Sequence, residues 1–249
     1  DAQNNFERSL QYFEGVGDSY RVAHAAHGLG NIHYGRREFS KAEAYYTRAL
    51  HNAEEIDDHY MQAHAGAALA RTLKGRNDSL ALAYVERTLG SAKKCGDHSV
   101  LADTHLIIGQ LSLWKGDNEK AMQHLRNCLA VYERLGERGR MAETYFAIGN
   151  LLGDEGYHAE AEKHFRSSLK IFQKLGNHED SFTAGCHASI GMMLTHQERF
   201  EDALPFLKRA LETYEKLDQP ARAETVIRMI ATNLVNQGNY REALPYLER

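Results

Sequence analysis

The sequence predicts an all-α chain, an α-solenoid of stacked antiparallel helical hairpins, and three observations predict it. Its 249 residues hold 20 Gly but only 3 Pro, too few prolines for a turn-rich β-sandwich or barrel and few enough for helices placed nearly end to end. The chain also resembles itself at a step of about 40 residues, marked by Gly30, Ala70, Gly109, Gly149, Gly191 and Ala231. A second register follows about 12 residues later at Ala42, Ala81, Ala121, Ala161, Ala203 and Ala243. Four residues beyond each of these stands Tyr46, Val85, Leu125, Phe165, Leu207 or Leu247. Two registers with one step leave little room for coincidence.

The elements follow in order. Residues 1–16 read as a second helix whose partner is missing, because Ala2, Phe6, Ser9, Leu10 and Phe13 align with Ala121, Leu125, Cys128, Leu129 and Tyr132. Residues 17–56 form the first whole unit. Ala23, Ala26, Leu29 and Gly30 recur with the period of one amphipathic helix, and Ala42, Tyr46, Ala49, Leu50 and Ala53 with that of a second. The units 57–95, 96–135, 136–175, 176–217 and 218–249 repeat the pattern, so 1–249 reads as a single array. Gly75-Arg76-Asn77-Asp78, Lys115-Gly116-Asp117-Asn118 and Gln237-Gly238-Asn239 fall between helices, where Gly ends one and Asp or Asn caps the next. Gly30, Gly109, Gly149 and Gly191 are expected where two helices come too close for a side chain, opposite Ala42, Ala121, Ala161 and Ala203. The last unit stops inside its second helix with Leu244 and Leu247 in pattern, so the parent protein is expected to continue on both sides.

Composition narrows the function. Lys and Arg number 30 against 34 Asp and Glu, a formal charge of -4, so the chain lacks the cationic excess that holds nucleic acid or an anionic membrane. No apolar run approaches the roughly 18 residues of a membrane span. Cys95, Cys128 and Cys186 are odd in number and contain no C-x-x-C pair, which argues for a reducing, cytoplasmic compartment. No signal peptide is visible in the first residues, and the absent initiator Met suggests excision from a longer chain.

Catalytic motifs give nothing to build on. Gly28-Leu29-Gly30-Asn31-Ile32-His33 begins like a dinucleotide loop but places His33 where the third Gly belongs, with no strand before it. No phosphate loop, nucleophile elbow or H-E-x-x-H zinc motif occurs, and Cys128 takes a small core slot as an inert thiol. No catalysis and no cofactor are expected. His24, His27 and His64 are the one cluster that a metal could use. Equivalent positions on neighbouring helices lie roughly 8–10 Å apart, wide for two imidazoles on one ion, so they read as groove-wall histidines and no metal site is expected. Charge runs such as Glu54-Glu55 and Lys93-Lys94 read as solvated outer face.

These residues resemble the tetratricopeptide repeats. The likeness is carried by Leu29-Gly30, Ile108-Gly109, Ile148-Gly149 and Ile190-Gly191, each followed by the Ala about 12 on, and by Phe39-x-x-Ala42, Phe200-x-x-Ala203 and Tyr240-x-x-Ala243. It covers the whole chain. The period near 40 departs from the family's 34, and no Trp stands at Ala26, Gly66, His105, Tyr145, His187 or Ile227. In this it is similar to the longer repeats of LGN/Pins scaffolds, kinesin light chains and bacterial peptide-sensing regulators.

The resemblance implies a superhelix whose first helices line a concave groove that binds an extended or helical peptide segment of a protein partner. One residue past each mid-helix Gly or Ala stand Asn31, Arg71, Gln110 and Asn150, polar groups suited to a peptide backbone. Asn31 and Asn150 resemble the groove Asn of LGN/Pins. With His27, Tyr34, Lys74, Trp114 and Phe146 they form the candidate peptide site. The first two repeats offer polar or basic groups with no carboxylate; Leu106, Ile107, Leu113, Trp114 and Phe146 then give an apolar stretch, unless they pack between repeats. The family's carboxylate clamp is expected to be absent, since Asn31 matches it but His27, Ala68, Asp103 and Ile107 replace its other members. A regulatory sensor of peptide or metal, or a spacer that self-associates through open array ends, stays as the alternative.

Overall fold

The computed structural model describes residues 2–176 and 179–248, and among them there are helices and no strand. The helices fall into two compact units, residues 1–135 and 136–249. The first holds α1 (Ala2–Gly15), α2 (Ser19–Gly35), α3 (Phe39–Glu55), α4 (His59–Leu73), α5 (Asp78–Lys94), α6 (His98–Lys115) and α7 (Asn118–Leu135). The second holds α8 (Arg138–Asp154), α9 (His158–Lys174), α10 (Ser181–His196), α11 (Phe200–Lys216), α12 (Pro220–Asn236) and α13 (Tyr240–Leu247). α2, α4, α6, α8 and α10 each pair most extensively with the helix that follows, α2, α4, α6 and α10 pair next with the one before, and α12 packs on both α11 and α13. The chain is therefore an all-α helical repeat array within each unit.

Capping accounts for where the helices begin. Asp18, Asp58, Asn77 and Asp97 accept from the backbone N–H groups of Arg21, Met61, Leu80 and Val100, and Asp180 forms a reciprocal capping box with Thr183. Asn239 stands at an N-cap but makes no capping bond there; its amide donates to Gln237 instead. The turns need one residue of positive φ. Gly116 supplies it at φ 80°, whereas Arg37 and Glu198 adopt it with a side chain present.

Within each hairpin the close approach lies one turn from where the sequence puts it. A Cβ on Gly30 would stand 2.5 Å from the Tyr46 ring, one on Gly109 2.8 Å from Leu125, one on Gly149 2.7 Å from Phe165 and one on Gly191 2.6 Å from Leu207. The glycines thus make room for the large side chain four residues past each alanine. The Ala121 and Ala203 carbonyls come next, at 3.4 and 3.3 Å. In the α4–α5 hairpin, where Ala70 stands in that register, the close approach moves to Gly66, which faces the Thr88 side chain.

The two helix classes bury different amounts. α3 shows one buried stripe of Ala42, Tyr46, Ala49, Leu50 and Ala53, while α4 is buried on nearly every side because it packs against both α3 and α5. Glu54, read from the sequence as mere solvation, pairs with Arg87 of the next hairpin, and Arg76 reaches Glu43 at 3.5 Å in the same way. Such exposed pairs contribute about 0–1 kcal/mol each. The core, not the ion pairs, joins neighbouring hairpins.

Two glycine substitutions test this packing. Gly149→Leu drives a side chain into Phe165 and should lower stability by about 1–3 kcal/mol. Gly90, inside α5 with nothing within 4 Å of an added Cβ, should gain about 0.5–1 kcal/mol on replacement by Ala. Urea denaturation followed by helicity measures both.

Candidate functional site

The candidate residues divide between the units. His27, Asn31, Tyr34, Arg71, Lys74, Gln110 and Trp114 lie on α2, α4 and α6 or at their ends, and Phe146 and Asn150 on α8. In the first unit α4 packs directly against both α2 and α6. The sandwiching of these helices leaves each a narrow strip for polar side chains, and the site is built on that strip.

The strip is internally bonded. The Tyr46 hydroxyl rises from α3 and donates to Asn31 Oδ1 at 2.8 Å, and Asn31 Nδ2 stands 3.4 Å from His27 Nδ1. The His27 ring lies 6.2 Å from that of His64, edge to face, and His64 Nε2 is 3.3 Å from an Asp97 carboxylate oxygen. Arg71 donates to Asp103 Oδ2 at 3.2 Å, and the Tyr132 hydroxyl donates to Asp103 Oδ1 at 2.5 Å. Lys74 donates to Gln110 Oε1 across α4 and α6.

Two expectations change. The first repeats do meet carboxylates, because Asp97 and Asp103 of α6 reach back to His64 and Arg71, so the strip is less cationic than the sequence suggests. The apolar stretch is mostly core: Leu106 and Ile107 are 3% and 4% exposed, and Ile107 packs with Ala67, Val85 and Leu111. Trp114 remains, 62% exposed near the end of α6. Phe146 sits edge-on to Phe165 at 5.2 Å, half-buried within its own hairpin, and Asn150 is half-buried one turn further along α8. Tyr34 is exposed beside Phe39.

Sequence reading missed Tyr46, Asp97, Asp103 and Tyr132 as members of the site. A signal existed for the tyrosines. Tyr132 stands in a column that holds Ala53, Ala92, Phe172 and Tyr214 elsewhere, and a buried phenol requires a hydrogen-bond partner that Ala or Phe does not. The partners themselves were not legible, since they come from other helices.

Electrostatics follow from burial. Desolvation, aided by His64, Arg71 and His24, pushes the His27 imidazole down to about 4. Burial raises the Tyr46 phenol to about 12, partly offset by Arg71. Burial alone would raise Asp97, but the Val100 and Ser99 amides and His64 outweigh it and hold the carboxyl below its usual range. Among the described residues no group of three or more His, Cys, Asp or Glu is placed to hold a metal ion, His24, His27 and His64 included.

A profile of the tetratricopeptide repeat matches residues 100–174, 140–216 and 183–249, and a second profile of that repeat matches 22–56. The chain belongs to the tetratricopeptide repeat family. Its step exceeds the usual 34 residues because its helices are long, 17 residues each in α2 and α3.

Solved structures with this fold include the apo form of RapI, at 19% identity over 97% of this chain and 86% of that one, with a TM-score of 0.75. BtubC from P. vanneervenii gives 16% identity over 85% and 89%, with a TM-score of 0.71. A Rap protein complexed with Competence and Sporulation Factor gives 17% over 93% and 73%, with a TM-score of 0.65. At these identities the likeness is one of fold. No curated protein sequence matches. No helix among the described residues is long and apolar enough to cross a membrane.

The tetratricopeptide repeats here carry a pH dependence. Burial pushes His27, His105 and His187 down to about 4, so folding excludes protons that the unfolded chain takes up near 6.5. The unfolded state binds more protons between those values, and stability falls as pH drops through that window and is fully present above it. For His187, which is buried with neither ring nitrogen partnered among the described residues, the slope reaches at most about 1.4 kcal/mol per pH unit. Melting temperatures measured from pH 7 to pH 4.5 should decline, and His187→Phe should remove part of the decline.

Proposed function

We propose that the chain is a non-catalytic protein-interaction module that binds an extended or helical peptide segment of a protein partner along its first-helix strip. In the first unit the contacts are His27, Asn31, Tyr34, Arg71, Lys74, Gln110 and Trp114; in the second, Phe146 and Asn150 offer the corresponding surface. The observation that carries this reading is the polar register Asn31, Arg71 and Gln110, one residue past Gly30, Ala70 and Gly109 and held in place by Tyr46, Asp103 and Lys74. Side chains already ordered lose little entropy on meeting a ligand, and amide and guanidinium groups read a peptide backbone whatever its side chains. A Rap protein of the same fold is complexed with Competence and Sporulation Factor, which supports a binding role.

Arg71 and Asp103 act as a pair in this reading, so charge reversal at Arg71 would break the fold's own contact before it tested a ligand. Lys74 and Trp114 are the better probes. The strip does not suit a lone carboxylate terminus, because Asp103 already occupies Arg71.

Selection of a displayed random-peptide library on the whole chain tests the proposal. Enriched peptides should change Trp114 fluorescence, and Trp114→Ala or Lys74→Ala should weaken them about tenfold while helicity is retained. Absence of enrichment, or equal affinity in both variants, would end the proposal. An acidic C-terminal tail peptide of the kind held by the family's carboxylate clamp should show no micromolar binding in a calorimeter.

A further inference from the structure

Two histidine pairs lie away from the peptide strip. His158 and His196 stack at 4.6 Å with planes only 14° apart, and the in-plane lone pairs of near-parallel rings do not converge on one atom. His105 on α6 and His124 on α7 differ. Their Nδ1 atoms stand 2.8 Å apart, with ring centroids at 4.8 Å and planes 54° apart.

We propose that His105 and His124 form a two-imidazole site for a divalent transition cation of tetragonal preference, Cu²⁺ foremost, with water filling the remaining positions. The spacing selects the geometry. Imidazole binds such ions at about 2.0–2.1 Å, so two nitrogens at a right angle lie about 2.9 Å apart, and two at a tetrahedral angle about 3.4 Å. At the 2.8 Å of their present hydrogen bond the two nitrogens already stand nearer the right-angled edge favoured by Cu²⁺ and Ni²⁺ than the tetrahedral one.

The scaffold is already rigid. α6 and α7 form one hairpin, locked where Gly109 meets Leu125; His105 lies one turn before that glycine, and His124 is adjacent to that leucine. The site therefore needs no gathering of distant segments. Burial keeps both rings in the neutral form that metals require, His105 pushed down to about 4 and His124 lowered by desolvation and by Lys120 and Lys93. In the present contact one Nδ1 carries the proton and the other accepts it. Binding shifts that proton to Nε2 of the same ring, so both Nδ1 lone pairs face the ion and no net proton is released.

The surroundings set the strength. Lys93 and Lys120 place positive charge near the pair, and Glu86, which accepts from Lys120, offsets part of it. With two protein ligands and half-buried His124 open at one side, the ion exchanges and is not a structural metal. The pair was hidden from sequence reading, which weighed only His24, His27 and His64, because residues 105 and 124 come together across a helical turn.

The test titrates Cu²⁺, Ni²⁺ and Zn²⁺ separately into the whole chain and into His124→Gln, His105→Gln and His64→Gln variants, each checked for helicity. One equivalent of Cu²⁺ should bind first, with two-nitrogen coupling in its electron paramagnetic resonance spectrum and a rise in melting temperature. Ni²⁺ should bind at least as tightly as Zn²⁺. His124→Gln and His105→Gln should each lose at least tenfold in Cu²⁺ affinity, and His64→Gln should lose none. Unchanged Cu²⁺ binding in His124→Gln, loss of the first equivalent in His64→Gln, or Zn²⁺ binding more tightly than Ni²⁺ would overturn the proposal.

Discussion

Everything in this protein rests on how closely two helices meet inside each hairpin. At Gly30, Gly109, Gly149 and Gly191 the first helix gives up its side chain, and Tyr46, Leu125, Phe165 or Leu207 of the second fills the space. Glycine in a helix interior costs about 1 kcal/mol, which the burial of a large apolar side chain at about 25 cal/mol per Å² offsets. The contact also fixes rotation and height of one helix against the other. Every other position in the repeat inherits its environment from that one.

Where a first helix is covered both by its own partner and by the preceding second helix, as α2, α4, α6 and α10 are, nearly all of its surface is spent on packing. α4 shows this most clearly. The residue after the close approach is among the few that can stay polar, and it emerges beside the side chains of its neighbours. Asn31 meets the phenol of Tyr46, and Arg71 meets the carboxylate shared with Tyr132. A surface built this way is ordered by the fold's own hydrogen bonds. It also explains why Asp103 counts against a terminal carboxylate: the acceptor needed by Arg71 is already supplied from within.

The same packing shapes the histidines. A ring such as His27, His105 or His187, enclosed between helices, loses water faster than it gains partners, so it stays neutral well below its ordinary titration range. Neutrality makes the fold acid-sensitive, and it leaves the imidazole nitrogen of His105 as a lone-pair donor beside His124. Both properties come from enclosure, not from a dedicated motif.

The sequence by itself determined the helical repeat, because period and small-residue register are local properties that one chain displays in order. Ala42, Ala81, Ala121, Ala161, Ala203 and Ala243, with the Gly or Ala about 12 residues before each, are enough to place the six hairpins. It also showed which polar residues share a register, Asn31, Arg71 and Gln110 among them. Only the tertiary structure decided which of these have partners, because Asp103 reaches Arg71 and Asp97 reaches His64 from the next repeat, at separations that no local spacing encodes. The same holds for apolar residues: Ile107 and Trp114 lie on one helix and look alike in the sequence, yet one is core and the other surface. A helix presents all its faces to the reader of a sequence, and only the neighbours packed against it decide which face water sees.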